Sequence, residues 1–212
     1  MKSVLCYGDS NTFGSATVAR PDGRYAPDER WPGVVRAALG ADWLVIEEGL
    51  GGRTTVSDDP VEGIDKNGRT YLLPCLMSHR PLDVVVIMLG TNDLKARFNK
   101  TPWEVAAGAG KLVEIVRATP EVGRGGRKAS VLLVCPPPFA PLKGHAEMFA
   151  GAIEKSRELA KHYRAVSETA GVGFLDASTV IRSSEVDGFH FDPDAHAALG
   201  KAIAAAVARM VP

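Results

Sequence analysis

Hydrophobic positions in this chain follow two rhythms: short unbroken runs, and longer stretches in which apolar residues recur about every 3.6 positions. Five short runs stand out, at Val4–Tyr7, Trp43–Glu47, Asp83–Leu89, Ser130–Cys135 and Val172–Asp176. The run DVVVIML at 83–89 is the clearest, and its unbroken aliphatic character predicts a strand covered on both faces. Helical spacing lies between the runs. Trp31, Val34, Val35, Ala38 and Leu39 mark a helix over Ala26–Gly40, stopped by its glycine. A short helix over Tyr71–His79 ends before Pro81. Thr101-Pro102-Trp103-Glu104 opens a helix reaching about Ala118, with Thr as cap, Pro at its first position and Glu at its third. Further helices are predicted over His145–Ala170 and over Pro193–Ala208, the latter capped by Asp192. Residues 56–70, rich in Asp and Gly, predict an irregular surface excursion, and Val180–His190 reads mostly as loop.

Strands alternating with helices imply a parallel sheet with right-handed crossovers. Five of them predict a flavodoxin-like order, 2-1-3-4-5, in a three-layer α/β/α sandwich. The 212 residues are expected to form one domain spanning 1–212, with no internal repeat or linker. The consequence for function is that every strand-end loop gathers on one edge of the sheet. Those loops are Gly8–Asn11, Gly49–Thr54, Gly90–Asp93, Pro136–Phe139 and the approach to His190.

Charge narrows the picture. Lys+Arg and Asp+Glu both number 25, so nothing draws the chain to nucleic acid or to an anionic membrane. No apolar run approaches the ~20 residues that span a bilayer. The chain begins directly on its first strand without the parts of an export signal, so a cytoplasmic location is expected. Cys6, Cys75 and Cys135 are odd in number and far apart; Cys6 and Cys135 are expected to be buried thiols. No Cys/His spacing matches a zinc site, and no metal or other cofactor is expected.

Candidate chemistry lies on the loop edge. Ser10 follows the first strand in Gly8-Asp9-Ser10, where a turn can also open a helix. A serine hydroxyl is a weak nucleophile until a positioned base takes its proton, and His190 is the candidate base. Asp187, three residues earlier, can hold the imidazole Nδ1–H and leave Nε2 for Ser10, although Asp192 and Asp194 are rivals. An oxyanion would need donors, for which the N–H groups of Ser10 and Gly52 and the side-chain amide of Asn92 are available. Asp9 and Asn11, beside the serine, and Phe13, Thr91, Phe139 and Phe189 in the strand-end loops are candidates to contact substrate. Each piece has a plainer reading: Gly51-Gly52 as a turn, Asn92-Asp93 as a cap, His190 as a surface side chain. His79, His145, His162 and His196 read as structural or solvated. Asp58-Asp59 reads as a solvated acidic pair rather than a cation site. Two phosphate-loop echoes fail: Leu112 replaces the Ser/Thr required after Gly108-Ala-Gly110-Lys111, and Gly49-Leu-Gly51-Gly52 lacks the dinucleotide spacing.

Taken in order, Gly8-Asp9-Ser10, Gly52, Gly90-Thr91-Asn92-Asp93 and Asp187-Gly188-Phe189-His190 resemble the four blocks of the SGNH hydrolases, the GDSL family of esterases and lipases. The resemblance covers essentially the whole chain. It implies a flavodoxin-like sandwich, Ser10 as nucleophile, Gly52 and Asn92 as oxyanion donors, and His190 as base with Asp187 as its partner. The stretches 46–55 and 71–95 and the three prolines at 136–138 are similar to the bacterial arylesterase/acyltransferase subgroup. That likeness implies a small intracellular homo-oligomer acting on short acyl esters. Asn11 stands where the family's motif has Leu, and Phe13 and Ser15 stand where the subgroup often has Trp. The expected activity is hydrolysis of acetyl-to-butyryl esters through an acyl-enzyme, with acyl transfer to alcohols as an extension. A carbohydrate O-acetyl esterase is the near rival, and a non-catalytic anion-binding module the distant one.

Overall fold

The computed structural model describes residues 1–20 and 22–211. Its five parallel strands are β1 (Lys2–Gly8), β2 (Trp43–Gly49), β3 (Val84–Met88), β4 (Ser130–Cys135) and β5 (Gly173–Asp176), in the order β2-β1-β3-β4-β5. The helices are α1 (Ser10–Phe13), α2 (Trp31–Leu39), α3 (Gly68–His79), α4 (Pro102–Ala118), α5 (Ala152–Ala170) and α6 (Pro193–Met210), with five short 3-10 turns between them among the described residues. This is the α/β sandwich and strand order that the alternating pattern predicts.

Strand periodicity divides the core into two. Leu5, Tyr7, Val85, Ile87, Leu133 and Cys135 point to one face, where α3, α4 and α5 bring Leu72, Leu76, Val105, Leu112, Leu159 and Tyr163. Val4, Cys6, Val84, Val86, Met88, Leu132 and Val134 point to the other, where α2 and α6 bring Trp31, Val35, Leu199, Ile203 and Val207. Because both faces are covered, the inner strands read as unbroken apolar runs rather than alternating ones. Two tyrosines reach through this core to backbone acceptors: Tyr7 donates to the Gly68 carbonyl at 2.6 Å and Tyr163 to the Leu89 carbonyl at 2.7 Å. Among the described residues, no helix is long and apolar enough to cross a membrane.

Several boundaries differ from the sequence expectation. Helix α2 starts at Trp31 rather than Ala26, because Pro32 has no N–H to carry a helical bond back from an earlier turn. Helix α3 starts three residues before Tyr71, where the Asn67 side chain accepts from the Arg69 N–H at 3.0 Å. Helix α5 starts at Ala152 rather than His145; Gly151 stands before it with φ +77°, and the preceding segment turns Phe149 into the core. The capping box at Thr101 and Glu104 forms as expected.

The excursion after β2 is tied down by charge. Asp59 is fully buried and accepts from Arg97 at 2.9 Å, with Lys95 at 3.6 Å. Glu62 holds the same two cations, at 2.5 Å from Lys95 and 2.6 Å from Arg97. Asp59 is therefore no solvated loop acid: its cations come from the chain itself. Removing one partner of a buried charge group leaves the others uncompensated. Lys95→Ala is expected to destabilise the fold by about 3 kcal/mol, the lower end for a broken buried pair because Arg97 remains. Urea unfolding at unchanged slope would read this, and a loss under ~1 kcal/mol would show that the group carries little weight.

Candidate active site

β1 and β2 end side by side, with Gly8 opposite Gly49, and β3 ends beside β1 with Met88 opposite Gly8. Parallel register thus delivers three loops to one edge. On the first, Asp9 caps the four-residue helix α1, its Oδ1 accepting from the Asn11 N–H at 2.9 Å. Ser10 is the first residue of that turn, so its own N–H has no helical acceptor. On the second loop, Gly52 adopts φ +79°, and a β-carbon there would meet Glu62 Oε2 at 2.5 Å. Among the described residues, the Gly52 N–H donates to no protein acceptor. On the third, Asn92 Nδ2 donates to the Arg53 carbonyl at 3.2 Å and stands 3.5 Å from Asp9 Oδ2. The second contact is at the limit of a hydrogen bond, which leaves one amide hydrogen for another acceptor.

The fourth loop brings the imidazole. His190 Nε2 lies 3.0 Å from Ser10 Oγ, and His190 Nδ1 lies 2.7 Å from Asp187 Oδ2. Asp187 Oδ1 also accepts from the N–H groups of Phe189 and His190, each at 3.0 Å, which folds the four residues into one tight turn. Gly188 permits that turn: its φ is +100°, and a β-carbon would press on the carbonyls of Ala140 and Pro141 at 2.9 Å. Asp192 and Asp194 do not reach the ring. Asp192 stands before α6, but its side chain makes no cap; it accepts from Thr17 Oγ1 at 2.5 Å and Ser184 Oγ at 2.8 Å instead.

The flanking residues expected to touch substrate are mostly withdrawn from it. Asp9, Asn11 and Thr91 are buried, and Asn11 Nδ2 donates to the Phe189 carbonyl at 3.0 Å. Asp9 and Asn11 brace the loops, and all three offer little open surface. Phe139 packs against Phe149 and Phe189 at centroid separations of 5.1 and 5.9 Å, forming an aromatic floor, and Phe189 lies 4.3 Å from the His190 ring. Phe13 remains partly open under the Arg24 guanidinium, 3.8 Å above its ring. Arg53 is a site residue that the sequence pattern alone does not mark. It is buried, donates through Nη1 to the carbonyls of Gly8 and Glu48, and stacks 4.3 Å over Tyr7. Its place directly after Gly51-Gly52 in a strand-end loop was the available signal. His196, read as structural or solvated, is buried with Nδ1 accepting from the Trp31 N–H at 3.2 Å, and burial lowers its pKa to about 4.

The family model for GDSL-like lipases and acylhydrolases matches residues 6–198. The chain belongs to that family. It has the SGNH hydrolase fold and is a carboxylic ester hydrolase. The aryl esterase of M. smegmatis is similar at 44% identity and TM-score 0.93, with all of both chains covered. Est24, a carbohydrate acetylesterase from Sinorhizobium meliloti, is similar at 43% identity and TM-score 0.92, covering 99% of this chain and 100% of its own. A carbohydrate acetylesterase family member from the same organism is 39% identical at TM-score 0.93, with 100% of this chain and 99% of its own covered. No curated protein sequence matches the chain.

Two site carboxylates respond oppositely to their surroundings. Burial pushes Asp9 up to about 6, against the opposing pull of the Asn11 N–H, His190 and Arg53. Burial would raise Asp187 as well, but its hydrogen bonds to the His190 ring and to two backbone N–H groups prevail and hold it at about 2. The signs follow. Asp187 contributes stability above its ordinary value near 3.8, lost as pH falls toward about 2. Asp9 contributes below about 3.8 and loses that contribution as pH rises through about 6. Urea unfolding between pH 3 and 8 should therefore show the cost of Asp187→Asn shrinking below pH ~4. The same series should show Asp9→Asn improving relative to the parent protein between pH ~4 and ~6. Differences that stay flat with pH would contradict both assignments.

Proposed function

We propose that this esterase acts on small short-chain acyl esters through an acyl-enzyme on Ser10. The observation that carries the reading is the position of His190, with Nε2 at 3.0 Å from Ser10 Oγ and Nδ1 at 2.7 Å from Asp187. In this reading His190 Nε2 takes the Ser10 proton as Oγ bonds to the ester carbonyl carbon. The oxyanion is received by the N–H groups of Ser10 and Gly52 and by Asn92 Nδ2. Collapse expels the alcohol or phenol, which takes the proton from His190. Water then attacks the acyl-serine with His190 again as base, releasing the acid. Asp187 keeps the proton on Nδ1 and balances the imidazolium. An anion-binding module would need no base beside its serine.

The similar structures include an aryl esterase and carbohydrate acetylesterases, and the acetyl group of the latter is a small acyl group. The aromatic floor of Phe139, Phe149 and Phe189, stiffened by Pro136–Pro138, favours the same limit. Self-association belongs to the proposal too: Val61 and Ile64 on the excursion, 71% and 79% exposed, offer apolar surface to bury.

Ser10→Ala and His190→Ala should each remove nearly all hydrolysis, leaving about 10³–10⁴ over water from binding and the oxyanion donors. A serine-directed phosphonate should label Ser10; labelling elsewhere, or full turnover by Ser10→Ala, would refute the assignment.

Acyl length is read by kcat/KM on nitrophenyl acetate, butyrate and octanoate beside acetylated sugars. A methylene that fits gains about 0.8 kcal/mol, whereas one that does not costs about 1–3 kcal/mol in strain. The expected profile holds from acetyl to butyryl and falls steeply by octanoyl. An octanoyl optimum would mean an open groove and overturn the short-chain reading.

A further inference from the structure

Cys75 and His79 stand one turn apart on α3, and residues four apart project from the same face of a helix. Glu48, near the end of β2, meets that face: its Oε1 lies 2.8 Å from His79 Nε2 and 3.5 Å from the Tyr71 hydroxyl. A carboxylate oxygen, a sulfur and a ring nitrogen from the three residues lie within 4.8 Å of one another. Sequence spacing hides this group, because Cys-x3-His lacks the second ligand pair of a zinc motif and Glu48 comes from another element.

The donor set selects the kind of ion. A calcium or magnesium ion needs more oxygen ligands than one carboxylate supplies. Thiolate and imidazole together suit a borderline-soft cation, which also accepts a carboxylate oxygen. We propose that Glu48, Cys75 and His79 form a binding site for one divalent cation of the zinc class, with solvent as fourth ligand. Metal–ligand bonds of about 2.0–2.3 Å place tetrahedral donors about 3.3–3.7 Å apart, so Glu48 and His79, now at 2.8 Å, must part slightly, and no donor pair need close by more than about 1.5 Å. His79 is the last residue of α3 and its ring is partly exposed, which gives it room to move.

Cys75 is buried beside Glu48 and, like any thiol at neutral pH, carries S–H in the ion-free protein. Binding replaces that proton with the metal and releases it to solvent. Binding breaks the present Nε2–H···Oε1 bond from His79 to Glu48; the neutral ring shifts its proton to Nδ1 through solvent and presents its Nε2 lone pair to the ion. Carboxylate and thiolate then neutralise the dication. Arg53, stacked on Tyr7 and 5.5 Å from the Tyr71 ring centroid, is a neighbouring positive charge that favours the thiolate while opposing the ion.

The test is titration of the tag-free, chelator-stripped full chain with Co2+, then displacement by Zn2+. One equivalent should produce a thiolate-to-cobalt charge-transfer band with the strong visible bands of four-coordinate cobalt, and should release one proton. Cys75→Ser should abolish the charge-transfer band; Cys6 and Cys135 are fully buried in the strands and cannot replace it. His79→Ala, at a half-exposed position that does not hold the core, should weaken binding by about 100-fold, the upper end of what even outer-sphere losses cost. No band at one equivalent, a band that survives Cys75→Ser, or an affinity unchanged in His79→Ala would overturn the site.

Discussion

Asp93 has no access to solvent, yet its carboxylate accepts from the Thr55 N–H at 2.8 Å, the Thr55 hydroxyl at 2.5 Å and Lys100 Nζ at 2.9 Å. The two bonds from Thr55 cross from the loop after β3 to the loop after β2. Asn92 precedes Asp93, and Arg53, whose carbonyl holds the Asn92 amide, lies two residues before Thr55. One buried carboxylate therefore fixes the separation between the two loops that carry Gly52 and Asn92. A charged group in a dry interior is tolerated because every oxygen has a donor. Its partners include a cation, so it is also compensated.

The same economy runs through the rest of the loop edge. Polar side chains there bind backbone or one another, and few face solvent. Asn11 ties the helix after β1 to Phe189, and Asp192 joins Thr17 to Ser184. The Asp59–Glu62–Lys95–Arg97 group holds the excursion against the Asn92 loop. Such networks specify one arrangement of loops that have little regular structure of their own, with Asn11 Oδ1 and Arg53 Nε left as buried atoms without a protein partner.

Much of this architecture was legible in the sequence, for physical reasons. The run at Val84–Met88 is unbroken because helices cover both sides of the sheet, and that signature needs no partner to be read. The capping box at Thr101 was legible because its bonds span three residues. What escaped reading depends on distant partners or on local exceptions. Asp192 has the sequence position of a cap, but Thr17 and Ser184 claim its carboxylate, and neither is apparent from the helix it precedes. The residues from His145 onward have helical spacing, while the left-handed Gly151 breaks the helix there. Asp59 looked solvated because Lys95 and Arg97 lie far along the chain. Ser10, Asp187 and His190 are legible from strand-end position, the spacing of Asp187 to His190 and the order of the four blocks; that the serine and imidazole stand at hydrogen-bond distance is a fact of the folded chain alone.

That last distance has a consequence of its own. Ser10 is set by a four-residue turn and His190 by another, and each turn is closed by its own local bonds. Nothing local relates the two. Their separation is maintained by Asn11 on Phe189, by Thr17 and Ser184 on Asp192, and by the aromatic packing beneath Phe189. A loosened, compact state could retain every helix and the whole sheet and still lose it. The serine–imidazole contact is thus a gauge of side-chain order, sensitive to disturbances that leave the backbone's regular structure intact.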